Sequence, residues 1–132
     1  MIQTPPFQRP IPLLVDDEEA FANALGFRLE NRGIPCLCTY RGETALQLVR
    51  RPELEVVLLD INMPGLDGLT TLERIKAKRP DIEVLLLTGE SDFTVAAKGM
   101  RRGASDYLLK PVDFTALLAS ITKARTRVAG HK

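Results

Sequence analysis

Histidine is almost missing from this chain. There is one among 132 residues, His131, next to last. That scarcity excludes a fixed histidine general base and a histidine-rich metal site. Cysteine is nearly as scarce, with only Cys36 and Cys38. Their C-x-C spacing points both side chains to one face of a strand. A bridge between them would be strained, and two thiols with a tail histidine do not make a four-ligand zinc site. They read as small apolar side chains in a reducing cytosol. No apolar run reaches the ~18 residues that span a bilayer, and the N-terminus lacks the apolar core of a signal peptide. The expectation is a cytoplasmic protein with no membrane partner. An excess of one charge is also lacking: 18 basic residues stand against 17 acidic, net +1. No basic footprint therefore covers the whole domain as a route to direct nucleic-acid binding.

What is present is ordinary for one globular domain: 45% apolar and 27% charged residues, in a length that folds without disulfide or metal. Four of the nine prolines fall in the first twelve residues, at Pro5, Pro6, Pro10 and Pro12. Residues 1–10 therefore read as a proline-rich extension. Beyond it, short apolar runs alternate with helical patterns. The runs are Ile11 to Val15, Ile34 to Tyr40, Val56 to Leu59, Ile82 to Leu87, and Tyr107 to Leu109. Nearly continuous apolarity suits parallel strands covered on both faces. The run with Pro35 suits an edge strand.

Five helical stretches lie between and after these runs. The first follows Asp17-Glu18-Glu19 and carries Phe21, Ala24, Leu25, Arg28 and Leu29. The second holds Ala45, Leu48 and Val49. The third is N-capped by Asp67, runs through Leu69, Leu72 and Ile75, and closes in Lys76, Lys78, Arg79 and Pro80. The fourth follows Ser91-Asp92 and stops near Gly103. The fifth is capped by Asp113 and carries Phe114, Leu117, Leu118, Ile121 and Val128. The order is (βα)5, an α/β fold with a doubly wound five-stranded parallel sheet and helices on both faces. Ligands of such sheets bind outside the C-terminal strand ends.

Four of the apolar strands finish in polar residues: Asp16-Asp17, Asp60, Thr88 and Lys110. A single strand-end aspartate is ordinarily a cap or turn residue. In a parallel sheet all of these meet at one edge, which places three carboxylates, a hydroxyl and an amine in one shallow pocket. Clustered carboxylates repel, so a cation must compensate. Hard oxygen ligands suit Mg²⁺ or Mn²⁺. Lys110 suits a phosphate oxygen, and Thr88 offers a hydroxyl donor. The combination describes an aspartyl-phosphate site.

Four ordered motifs carry a resemblance. LLVDDEEAF (13–21), LLDINMPGLDGL (58–69), LLLTGES (85–91) and GASDYLLKPVD (103–113) together resemble the receiver domain of two-component response regulators. The resemblance covers residues 11–128, leaving 129–132 as a tail, and implies the flavodoxin-like strand order 2-1-3-4-5. It implies that Asp60 is the phosphoacceptor. Asp17, Asp60 and the backbone carbonyl of Asn62 would bind the metal directly, with Asp16 acting through water. Lys110 would contact the phosphoryl group and, before phosphorylation, Asp60. Thr88 would move to the phosphoryl oxygen, and Tyr107 would rotate inward with it. Gly89 would leave room, Asn62 and Glu90 would tune dephosphorylation, and Lys110-Pro111 would be cis.

The resemblance also implies partners. With no internal histidine, the phosphoryl group must come from a histidine kinase or histidine phosphotransfer domain. The family's output surface, formed by the fourth helix, fifth strand and fifth helix, would engage an output domain or protein or form a phosphorylation-linked dimer. Almost all 132 residues are spent on the switch, which suggests a single-domain regulator or a receiver from a longer protein. Catalysis would be limited to the domain's own phosphotransfer and dephosphorylation. Plainer readings stand beside these. Met63-Pro64-Gly65 is a tight turn, and Tyr107 a strand aromatic. Arg101-Arg102 and the basic end (Lys123, Arg125, Arg127, Lys132) are solvated helix termini. A flavin carrier is disfavoured because Asp16-Asp17-Glu18-Glu19 would repel a phosphate. An aspartate-nucleophile hydrolase is disfavoured because Asp60-Ile61-Asn62 lacks a second aspartate.

Overall fold

The computed structural model describes residues 11–63, 67–89 and 93–130. The proline-rich extension, Pro64 and Gly65 of the expected turn, Glu90, the Ser91-Asp92 pair and the tail His131 lie outside the described residues. The order is β1 (Ile11–Val15), α1 (Glu19–Asn31), β2 (Leu37–Thr39), α2 (Gly42–Leu48), β3 (Leu54–Asp60), α3 (Gly68–Lys78), β4 (Glu83–Thr88), α4 (Phe93–Arg101), β5 (Asp106–Leu109) and α5 (Phe114–Gly130). The strands form one sheet in the order β2-β1-β3-β4-β5, and every adjacent pair is parallel.

Alternation along the strands splits the core in two. Leu13, Val15, Val57, Leu59, Val84 and Leu86 pack with Ala45, Val49, Leu72 and Ile75 from the α2–α3 side. Leu14, Val56, Leu58, Leu85 and Leu87 pack with Leu25 and Leu29 of α1 and with Leu117, Ile121 and Val128 of α5. β3 and β4 are buried throughout, which explains their unbroken apolar runs. β2 and β5 take the sheet edges and are only part-buried.

The expected caps are present. The Asp67 carboxylate accepts from the Thr70 amide at 2.8 Å. That of Asp113 accepts from Thr115 and Ala116 at 2.9 and 3.3 Å. Other boundaries differ from expectation. β2 is three residues long and begins after Pro35 and Cys36, because an edge strand pairs only where β1 runs beside it. β3 extends one residue past Leu59 to include Asp60, and α5 continues to Gly130, into the expected tail.

Two basic residues near helix ends, Arg79 and Arg127, are structural, although Arg127 reads from sequence as part of a solvated terminus. Arg79 donates to the carbonyls of Val49 and Leu54 at 2.8 and 3.1 Å, tying the end of α2 to the start of β3. Arg127 pairs with the buried Glu83, fastening α5 to β4. Cys36 and Cys38 are free thiols, half-buried and facing the α1 carbonyls of Gly26 and Ala22 at 3.8 and 3.7 Å. Burial, with neighbouring Cys38 and Glu30, pushes the Cys36 thiol up to about 12, so it stays protonated. Among the described residues, no helix is long and apolar enough to cross a membrane.

Candidate functional site

The parallel register brings the strand-end residues together. The amide of Asp16 donates to the Thr39 carbonyl, and the amide of Lys110 donates to that of Thr88. Both residues thus continue the sheet for one step past β1 and β5. Asp60 and Thr88 are the last residues of β3 and β4. All four lie at the C-terminal edge.

The carboxylates of Asp16, Asp17 and Asp60 each offer an oxygen within 4.8 Å of the others. Asp16 and Asp60 are buried and Asp17 is exposed. Asp16 is pinned on both sides. One oxygen accepts from the Glu18 amide at 2.9 Å, and the other from the Lys110 ammonium at 2.7 Å. Asp60 accepts from the Asn62 amide at 3.1 Å. An open depression of about 300 Å³ is lined by Asp17, Glu18, Asp60, Asn62, Gly89 and Lys110. Asp16 and Thr88, with 1% and 0% of their surface exposed, form no part of that lining. The Thr88 hydroxyl donates to the Gly89 carbonyl at 3.1 Å.

Lys110 is shared. Its ammonium lies 2.7 Å from Asp16, 3.3 Å from Glu18 and 3.7 Å from Asp60. The contact anticipated with Asp60 is thus the longest of the three, and Asp16 holds the ammonium most closely. The Phe21 ring lies under it, 4.5 Å from ammonium to centroid, a cation–π contact. Burial works against the Lys110 charge, but the Asp16 hydrogen bond and the Asp60 and Asp16 charges outweigh it and keep the group above its ordinary value. Asp60 shows the opposite frustration. Burial pushes its carboxyl up to about 7. The Asn62 amide opposes this, the Asp16 charge adds to it and Lys110 lowers it.

The donor set fits a hard divalent cation. Three carboxylates face one ammonium, so the site carries excess negative charge, and Asp17 and Asp60 line its open side beside Asn62. Tyr107 is half-buried on β5, and its ring meets that of Phe93 on α4 edge-on. Met63 is buried in the core, and the Lys110-Pro111 bond is cis.

Several contributors were not singled out from sequence. Glu18 and Phe21 touch Lys110 across 92 and 89 residues of chain, a proximity no local pattern encodes. Gly68 is another. A β-carbon there would lie 2.4 Å from the α-carbon and carbonyl oxygen of Ile61, the residue after Asp60. Its signal was available as the glycine directly after the Asp67 cap.

Comparison with known proteins bears on this geometry. The family model described as "Response regulator receiver domain" matches residues 13–122. The transcriptional regulatory protein ZraR of Salmonella typhimurium is 38% identical over 120 residues, which cover 89% of this chain and 27% of that protein. The DNA-binding transcriptional regulator NtrC of Klebsiella pneumoniae is 35% identical over 117 residues, covering 89% of this chain and 25% of that protein. The chain thus spans about a quarter of the length of these curated relatives. Among solved structures, a response regulator receiver domain protein from Clostridium thermocellum superposes with a TM-score of 0.88 at 32% identity, covering 92% of this chain and 98% of that one. The receiver domain of NtrX from Brucella abortus gives 0.82 at 29%, covering 87% and 98%.

Proposed function

The chain belongs to the response regulator receiver domain family of two-component signalling, and from that premise we propose that Asp60 is its phosphoacceptor. One observation carries the assignment: Asp60 is the carboxylate at the end of a central buried strand that lines the depression while lying within 4.8 Å of both Asp16 and Asp17 and 3.7 Å from Lys110. In this reading an Asp60 oxygen attacks the phosphorus of a partner's phosphohistidine. The new O–P bond forms as the N–P bond breaks, and the imidazole leaves with the bonding pair. Mg²⁺ or Mn²⁺ would be held by Asp17, Asp60 and the Asn62 carbonyl, with Asp16 acting through water. Bound there, it would offset charge on the equatorial phosphoryl oxygens.

The chain's own residues do the rest. The Asn62 amide orients the Asp60 carboxylate. Lys110 needs only a short shift from Asp16 to reach a phosphoryl oxygen on Asp60. Thr88 leaves the Gly89 carbonyl to donate to another, and Tyr107 follows. Gly89 adds no side chain to the pocket mouth, and Asn62 and Glu90 set the dephosphorylation rate. The donor is a histidine kinase or histidine phosphotransfer domain. The readout surface is α4-β5-α5, where Phe93, Met100 and Leu109 are exposed apolar residues. It engages an output domain or protein, or a second phosphorylated copy. The relatives' names make them transcriptional regulators, which supports an output of that kind in the whole protein.

Beryllofluoride with Mg²⁺ tests the reading. A stoichiometric adduct that perturbs Thr88, Tyr107 and Lys110 in NMR spectra, and is lost in Asp60→Asn, is the expected result. No adduct with the wild-type chain would exclude it.

A further inference from the structure

An aromatic pair bridges α4 and β5. Phe93, the first residue of α4, keeps 59% of its surface exposed. Its ring meets Tyr107 with centroids 6.0 Å apart and planes at 69°, an attractive edge-to-face geometry. Phe93 is not what docks α4 on the sheet. Ala96 and Gly99 are its buried residues, and Gly99 lies so close to Leu86 that a β-carbon would approach it to 2.5 Å. Tyr107 itself leans on the core cluster that contains Leu86 and Ile61. The aromatic contact occurs together with a Thr88 hydroxyl bonded to the Gly89 carbonyl. It therefore belongs to the arrangement in which that hydroxyl is engaged away from Asp60.

We propose that Phe93 is a latch on Tyr107, holding the tyrosine in this arrangement and so setting the resting balance of the switch. The inference rests on the phosphoacceptor reading above. A contact made in one of two states biases their equilibrium by its own free energy. A ligand that needs the other state then binds more weakly, in proportion to the population withheld. An aromatic pair of this kind corresponds to about a two- to tenfold bias. Phe93 is thus a positioning residue that acts through Tyr107 and touches neither metal nor phosphoryl group.

The composition supplies a reporter. With no tryptophan and two tyrosines, Tyr40→Phe leaves Tyr107 as the dominant fluorophore. In that background, beryllofluoride is titrated with saturating Mg²⁺ and emission is read. Phe93→Ala is expected to bind about two- to tenfold more tightly, with its ligand-free emission already displaced toward the bound value. Phe93→Tyr keeps the ring but adds a second emitter, so it is compared by its beryllofluoride midpoint alone, which is expected to match the background. Damage to the fold would weaken binding, so the sign of the change separates a latch from a merely structural contact. Equal or weaker binding by Phe93→Ala overturns the latch, as does a Phe93→Tyr variant that behaves like alanine. If the background protein binds no beryllofluoride at all, the phosphoacceptor reading falls and the latch with it. If it binds while the Phe93 variants agree with it, only the latch falls.

Discussion

Asp60 is ill at ease in the cation-free fold. Burial raises its carboxyl from the ordinary 3.8 to about 7. Across that window the folded chain keeps a proton that the unfolded chain has released, so rising pH costs stability, and above the upper value the cost is constant. Asp60→Asn escapes this cost while still accepting from the Asn62 amide. In metal-free buffer its melting temperature is expected to gain on wild type from about pH 4 to about pH 7 and to hold that lead above, while phosphorylation is lost. A variant melting below wild type at about pH 8 would contradict this. Lys110 is the converse case. Its removal strands Asp16, only 1% exposed, without its 2.7 Å partner. Lys110→Ala is therefore expected to lose about 2 to 3 kcal/mol in urea unfolding without metal, with millimolar Mg²⁺ recovering part of the loss.

At the scale of elements, the site depends on how closely α3 approaches the turn after β3. A methyl group on Gly68 would meet Ile61 backbone at 2.4 Å, and backbone has no rotamer with which to give way. Gly68→Ala is expected to cost about 1 to 3 kcal/mol or more and to weaken beryllofluoride binding as well, because Ile61 is joined to Asp60. Gly26→Ala, whose β-carbon would meet the two cysteine sulfurs at 3.2 and 3.3 Å, is expected to affect stability without touching that binding. Parallel urea and beryllofluoride titrations of the two variants check the contrast. The Asp67 cap was legible as an aspartate before an apolar-periodic stretch. The reason for Gly68 was not, since it lies in where the preceding turn passes.

For the whole molecule, charges that nearly cancel in composition serve different local ends. Three acids gather at one sheet edge, while Arg79 and Arg127 are spent tying helices to strands. If the folded site binds Mg²⁺ and the unfolded chain does not, each tenfold rise in Mg²⁺ above its dissociation constant adds about 1.4 kcal/mol of stability. The melting temperature should climb accordingly with Mg²⁺ concentration. Asp17→Asn, at an exposed position, is expected to flatten that climb while leaving the metal-free melting temperature nearly unchanged. A variant that responds to Mg²⁺ like wild type would remove Asp17 from the metal site.

The sequence by itself determined the fold class and which strand-end residues meet at one edge of the sheet. Unbroken apolar runs state that strands are covered on both faces, and polar residues at their ends state which edge is chemical. Local spacing encodes both, since each depends on neighbours within one element. The tertiary structure alone decided what those residues share. Lys110 is held by Asp16 more closely than by Asp60, and Asp16 and Thr88 sit behind the lining of the depression. Phe21 and Glu18 attend Lys110, and Phe93 rests on Tyr107. Such contacts are set by strand register and helix docking across long stretches of chain, and no periodicity within a segment records which distant side chain will arrive beside it.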